Sequence, residues 1–130
     1  MNNKEIISSD KAPAPIGPYN QAVKANGFLF ISGQIALDPK SGELFAGDIA
    51  GETEMVMSNL QAILKEAGLD FSAVVKTSIF LMDMGQFGTV NQVYGQYFDS
   101  PTAPARETVQ VGGLPKGVRV EISMIAVFPG

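Results

Sequence analysis

Near the C-terminal end of the sequence, Val118–Phe128 alternates in a way that leaves neither side polar along its whole length. Val120, Ile122, Met124 and Ala126 point one way, and Arg119, Glu121, Ser123, Ile125 and Val127 the other. An antiparallel strand with one wet face carries polar residues along the whole of that face. Val74–Met82 behaves similarly, with Val75, Thr77, Ile79 and Leu81 alternating with Val74, Lys76, Ser78 and Phe80. A sheet made of such strands is buried over much of both faces. Helices can cover one of them. The sequence holds only two helical patterns, so the second face calls for a layer from another copy of the chain.

Both helical patterns are bounded by clear signals. Asp48 is a good N-cap, with Glu52 and Glu54 in the first turns. Ile49, Thr53, Val56, Leu60, Ile63, Leu64 and Ala67 then recur at helical spacing until Gly68, a natural stop. The second helix is expected over Phe87–Phe98, with Phe87, Val90, Tyr94, Tyr97 and Phe98 on its apolar side, broken by Ser100–Pro104. Strands are expected at Glu5–Ser8, at Gln21–Ala25 and Phe28–Ile35 about the hairpin signal Asn26-Gly27, and at Val74–Met82, Ala105–Val111 and Val118–Phe128. Lys11–Pro18, rich in proline, reads as an ordered extended loop. Asp38–Gly42 and Gly112–Gly117 read as turns. The order β-β-β-α-β-α-β-β predicts an α+β fold, a mixed sheet with two helices on one face, in a single domain over 1–130.

Composition removes several chemistries. The 130 residues include neither Cys nor His, which excludes thiol nucleophiles, Ser-His-Asp triads and zinc sites built on those ligands. No Asp-x-Asp-x-Asp loop supports a carboxylate metal site, so no metal and no cofactor is expected. The net charge of −4, with no two basic residues adjacent, disfavours nucleic acid as the principal ligand. No run approaches a membrane span, and the N-terminal residues lack the apolar segment of a signal peptide, so the expected location is the cytoplasm.

Six positions invite a chemical reading, each beside a plainer one. Arg106 enters a strand after a proline-rich segment; with Val109 and Val111 turned to the helices, it would share the opposite face with Thr108 and Gln110. A guanidinium on an apolar sheet face needs an anion, either a ligand carboxylate or a glutamate of the same or a neighbouring chain. Glu121 could orient or deprotonate a water, or pair with Arg106 or Arg119. Asn91 lies between Phe87 and Tyr94 at helical spacing, which suits a buried hydrogen bond or a tie to a loop backbone. Tyr19, in the rigid Gly17-Pro18 loop, could wall a pocket or sit in the core. Ser32-Gly33 interrupts a bulky strand, which fits a bulge, tight packing or a close-lying ligand.

Gly17-Pro-Tyr19, Ile31-Ser-Gly-Gln34, the segment Pro101–Arg106 and Leu114–Ile122 together resemble the RidA (YjgF-type) family, over about Glu5 to Val127. The resemblance implies a chorismate-mutase-like fold, a homotrimer with a barrel-like core of sheets, and ligand clefts between subunits. It implies hydrolysis of 2-imino acids and their enamine tautomers, such as 2-iminobutanoate and 2-iminopropanoate, to 2-oxo acids and ammonia. By the same resemblance, Arg106 binds the substrate carboxylate and Glu121 holds the water, while Tyr19, Ser32, Gly33 and Asn91 line the pocket. Many relatives carry Cys where this chain has Thr108; backbone groups at that position can still bind substrate. A non-catalytic 2-oxo acid-binding trimer, a translation inhibitor or ribonuclease, and a holdase are the alternatives.

Overall fold

The computed structural model describes residues 3–130. A six-stranded sheet runs in the order β1-β2-β3-β6-β4-β5, where β1 is Lys4–Ile7, β2 Ala22–Ala25, β3 Phe28–Gln34, β4 Val74–Leu81, β5 Ala105–Gln110 and β6 Val120–Val127. All neighbours are antiparallel except β4 and β5, which α2 (Phe87–Gly95) joins by a parallel crossover. Asn26 and Gly27, both at positive φ (53° and 80°), make the tight turn between β2 and β3. The mixed α+β arrangement is the one expected.

Helix α1 (Ile49–Glu66) starts as its sequence demands. The Asp48 carboxylate accepts the Gly51 N–H at 2.9 Å, and Gly68 leaves the helix at φ 77°. Helix α2 is shorter than its pattern, ending at Gly95. Beyond it the Gln96 and Tyr97 N–H groups bond back three residues, and Tyr97 and Phe98 fold onto Phe71 instead of extending the coil.

Both helices lie on one face. There Val120, Ile122, Met124 and Ala126 of β6 are buried with Leu29, Ile31, Ile79 and Leu81, beneath Val56, Leu60, Ile63 and Leu64 of α1 and Val90 and Tyr94 of α2. Each such side chain contributes about 1.5–3 kcal/mol by leaving water. The opposite face has no covering layer in the protomer. Ile6, Phe28, Phe30, Val75 and Val109 are each 40–45% exposed. Two facings differ from those expected. A register shift between Val74 and Lys76 turns Val74 inward and Val75 outward. Val109 lies on the uncovered face, because its parallel partner is Phe80, not Ile79.

The strand expected from Val118 begins at Val120, since the N–H of Arg119 is given to Glu52. The Ser9–Pro13 loop is held by buried Gln21, whose Nε2 donates to the carbonyls of Ser9, Ala12 and Pro13 while its Oε1 accepts the Ser9 N–H.

Candidate functional site

Arg106 stands on the edge strand β5, opposite Thr77 of β4; Thr108 is opposite Ile79, and Gln110 opposite Leu81. Those three partners are buried beneath the helices. Arg106, Thr108 and Gln110 therefore face the helical layer, the reverse of the orientation expected from the sequence. Alternation was read correctly but its phase was not, since an edge strand need not turn its valines to the core. The Arg106 guanidinium lies 5.5 Å from the Phe87 ring centre and 5.1 Å from that of Tyr94. Its Nη1 donates to Asn91 Oδ1 at 2.7 Å. The Tyr94 hydroxyl donates to Thr77 at 3.0 Å, which fixes that ring, and burial pushes its pKa up. Cation–π stacking of this kind holds a charge without neutralising it.

No carboxylate among the described residues forms an ion pair with Arg106. Among the described residues the ion pairs are Lys76–Glu107 at 2.9 Å and Arg119–Glu52 at 2.6 Å. The Arg106 hydrogen bond to a side chain, among the described residues, is the one to Asn91. Two residues along, the Thr108 hydroxyl is enclosed and has no hydrogen-bond partner. Asn91 itself is exposed and bonds to the guanidinium, not to a loop backbone.

Glu121 is seated differently. It pairs in register with Phe80 and projects from the uncovered face. Its carboxyl is half-buried, and desolvation raises its pKa above the ordinary carboxylate range. It forms no ion pair with Arg106 or Arg119, which removes the pairing considered from the sequence. The side chain presses on Gly33, where a Cβ would lie 2.8 Å from Glu121 Cδ and 2.9 Å from Oε2. Glycine is needed there for that close approach. Ser32 and Gly33 sit at a register shift between Ile31 and Gln34, the bulge their sequence suggested. The Ser32 hydroxyl donates to the Asn20 carbonyl at 2.6 Å, and its N–H to that of Gln21 at 2.9 Å. These bonds hold the Tyr19 loop alongside, and Tyr19 is 48% exposed, not a core residue.

The candidate residues thus form two clusters. Asn91, Arg106 and Thr108 gather on the helical side of the β5 edge. Tyr19, Ser32, Gly33 and Glu121 gather at the β3 bulge beside β6. The sheet separates them. Sequence reasoning missed the Phe87–Tyr94 shelf under Arg106, although both rings were placed on one helix face. It also passed over buried Glu52. Among the described residues no three Asp or Glu side chains converge as a metal cage would require.

Residues 9–128 match the family model described as endoribonuclease L-PSP. The chain belongs to this RidA (YjgF-type) family. A RutC family protein of Synechocystis is 54% identical over 126 residues, covering 96% of this chain and 97% of that protein. A mouse protein named 2-iminobutanoate/2-iminopropanoate deaminase is 52% identical over 124 residues, covering 95% and 91%. The solved structure of TdcF from E. coli, with bound serine, matches at a TM-score of 0.90 and 41% identity, covering 96% of this chain and 99% of that one. Relatives named as imine deaminases support RidA-family activity here.

Proposed function

We propose that this protein hydrolyses short 2-imino acids and their enamine tautomers to 2-oxo acids and ammonia, at sites formed between copies of the chain. The observation that carries the reading is Arg106, a guanidinium stacked on two rings and tied to an amide, with donors left for a carboxylate. A bidentate grip on the acid end of the substrate fixes the adjacent imine carbon. Glu121 belongs to the neighbouring copy in this arrangement, because the two groups stand on opposite faces of one sheet. The exposed apolar face supports a homotrimer packed sheet to sheet, in a chorismate-mutase-like assembly.

Glu121 takes a proton from water as its oxygen bonds to the imine carbon. The carbon–nitrogen π bond gives its electron pair to nitrogen, which takes the proton that Glu121 holds, so that a carbinolamine forms and the carboxylate returns. Glu121 then takes the carbinolamine hydroxyl proton and passes it to nitrogen; the carbon–oxygen double bond forms as the carbon–nitrogen bond breaks, releasing ammonia and the 2-oxo acid. A carboxyl raised by burial suits these proton transfers better than an ordinary one. Gly33 seats that carboxyl, while Tyr19, Ser32 and the backbone at Thr108 wall the site. An imine carbon is already electrophilic, so positioning carries most of the work.

The test couples a threonine dehydratase to semicarbazide trapping. The protein should divert the imine from the trap, and Arg106→Ala should lose that ability while keeping its assembly. A trap yield untouched by the wild-type protein would sink the reading. The serine-bound TdcF relative favours one alternative, a trimer that binds small amino or 2-oxo acids without turning them over. That alternative predicts saturable binding of 2-oxobutanoate that depends on Arg106, with no effect on trapping.

A further inference from the structure

Glu52 lies in the first turns of α1 but not on its wet side. It is 4% exposed, among the apolar residues of the core. A carboxylate there is unfavourable by several kcal/mol unless its oxygens are satisfied. They are, by a single short segment. Oε2 accepts the backbone N–H of Arg119 at 2.8 Å and that of Val120 at 3.3 Å, and Oε1 accepts Arg119 Nε at 2.6 Å. Arg119 Nη2 donates onward to the Gly47 carbonyl at 2.7 Å, just before the helix. On its other side the Arg119 carbonyl accepts the Met82 N–H at 3.1 Å.

This grip sits where the chain enters β6. The loop before it bonds mainly to itself, with Gly117 N–H on Leu114 and Val118 N–H on Pro115, and Lys116 stands at a positive φ of 56°. Such a turn does not fix where the strand begins. The β4 ladder, with Leu81 against Val120, holds the entry on one side and Glu52 holds it from the helix side, and Glu121 follows within two residues of Arg119. The Glu121 carboxyl rests against Gly33 in space that a single methyl would fill. A small slide of the β6 entry would shift it off that seat.

We propose that Glu52 is a positioning residue for Glu121, acting through the backbone of Arg119 and Val120. The assignment rests on the reading of Glu121 as the water-activating carboxylate. Backbone capture, not charge, is the essential part, so an amide oxygen on the Arg119 and Val120 N–H groups keeps the strand entry, although the amide nitrogen gives up the bond from Arg119 Nε. The register sets Glu121 against Phe80, and the charged side chains further along β4 and β5, Lys76 and Glu107, pair with each other; burial is what shifts the Glu121 carboxyl.

The test compares Glu52→Leu with Glu52→Gln in the full chain. Three quantities are read: kcat for imine hydrolysis, Kd for 2-oxobutanoate, and the Glu121 titration by carboxyl NMR. Glu52→Leu should lose at least ~10-fold in kcat with Kd within about threefold, because Arg106 is untouched, and Glu52→Gln should stay within about threefold in both. In Glu52→Leu the Glu121 titration should fall toward the ordinary carboxylate range, as its seat loosens and water enters. A purely structural role would lower the melting temperature and leave that titration in place, which overturns the proposal. So would equal damage from Gln and Leu, or an unchanged kcat in a folded Glu52→Leu protein. Should Glu52→Leu not fold, Glu52→Asp withdraws the carboxylate by one methylene and carries the same test. If the wild-type chain hydrolyses no imine, the function proposed above fails, and the Glu121 titration alone still decides the positioning.

Discussion

Arg106 and Glu121 occupy seats built in contrasting ways. Arg106 is exposed on an edge strand and owes its place to side chains, two rings beneath it and one amide beside it. Glu121 is half-buried on a central strand and owes its place to backbone, a bulge with a missing Cβ and a strand entry held by Glu52. The first seat leaves the guanidinium exposed, with no ion-pair partner among the described residues. The second removes water from a carboxyl and raises its affinity for a proton. Under the proposed function, a gripping group and a proton-transferring group need opposite environments, and the two sides of one sheet differ in that way.

Several measurements sharpen or break that contrast. Arg106→Ala should cost at least ~100-fold in kcat/KM, with Arg106→Lys recovering little because an ammonium lacks the fork. Steady-state kinetics on a freshly generated imine would read both. Gly33→Ala should lower kcat by roughly 10-fold or more while sparing 2-oxo acid binding, since the new methyl displaces the Glu121 carboxyl. If KM rises instead and kcat holds, the two seats are not separate in function. Phe30→Asp, on the uncovered face, should dissociate the proposed assembly without unfolding the protomer, as sedimentation and circular dichroism would report.

A smaller effect concerns stability. A carboxyl whose folded pKa is raised favours the fold below its unfolded pKa, and that contribution is lost as pH rises through the folded value. At neutral pH ionised Glu121 therefore opposes folding slightly. Glu121→Gln should raise the melting temperature a little at pH 7, with the gain shrinking toward pH 4, while removing activity. An unchanged or lower melting temperature at pH 7 would show that Glu121 is better solvated than its seat implies. The activity of the unaltered protein should fall on acidification through the raised Glu121 pKa.

The fold was largely legible because its signals are local. Asp48 and Gly68 bound one helix, Asn26-Gly27 closes one hairpin, and the alternation in Val118–Phe128 separates the core face from the uncovered one. What misled was phase. Nothing in Ala105–Val111 says which set of side chains an edge strand turns to the helices, so Arg106 was placed on the wrong face. Likewise, no local pattern announces the register shift that exchanges Val74 and Val75. The candidate residues stood out by type and position, but their proposed roles came from resemblance, since their spacing did not choose between the chemical and the plainer readings. Glu52 reads as an ordinary helix-start acid, since its three donors lie 67 and 68 residues away.

The division of the site between copies can be tested by mixing. Arg106→Ala and Glu121→Gln are each expected to be inactive. After denaturation and refolding together in equal amounts, roughly a quarter of the sites should unite an intact arginine with an intact glutamate from different copies. Activity should return to about that share of the wild-type value. A mixture as inactive as its components would place both groups in one chain's own site and contradict the account.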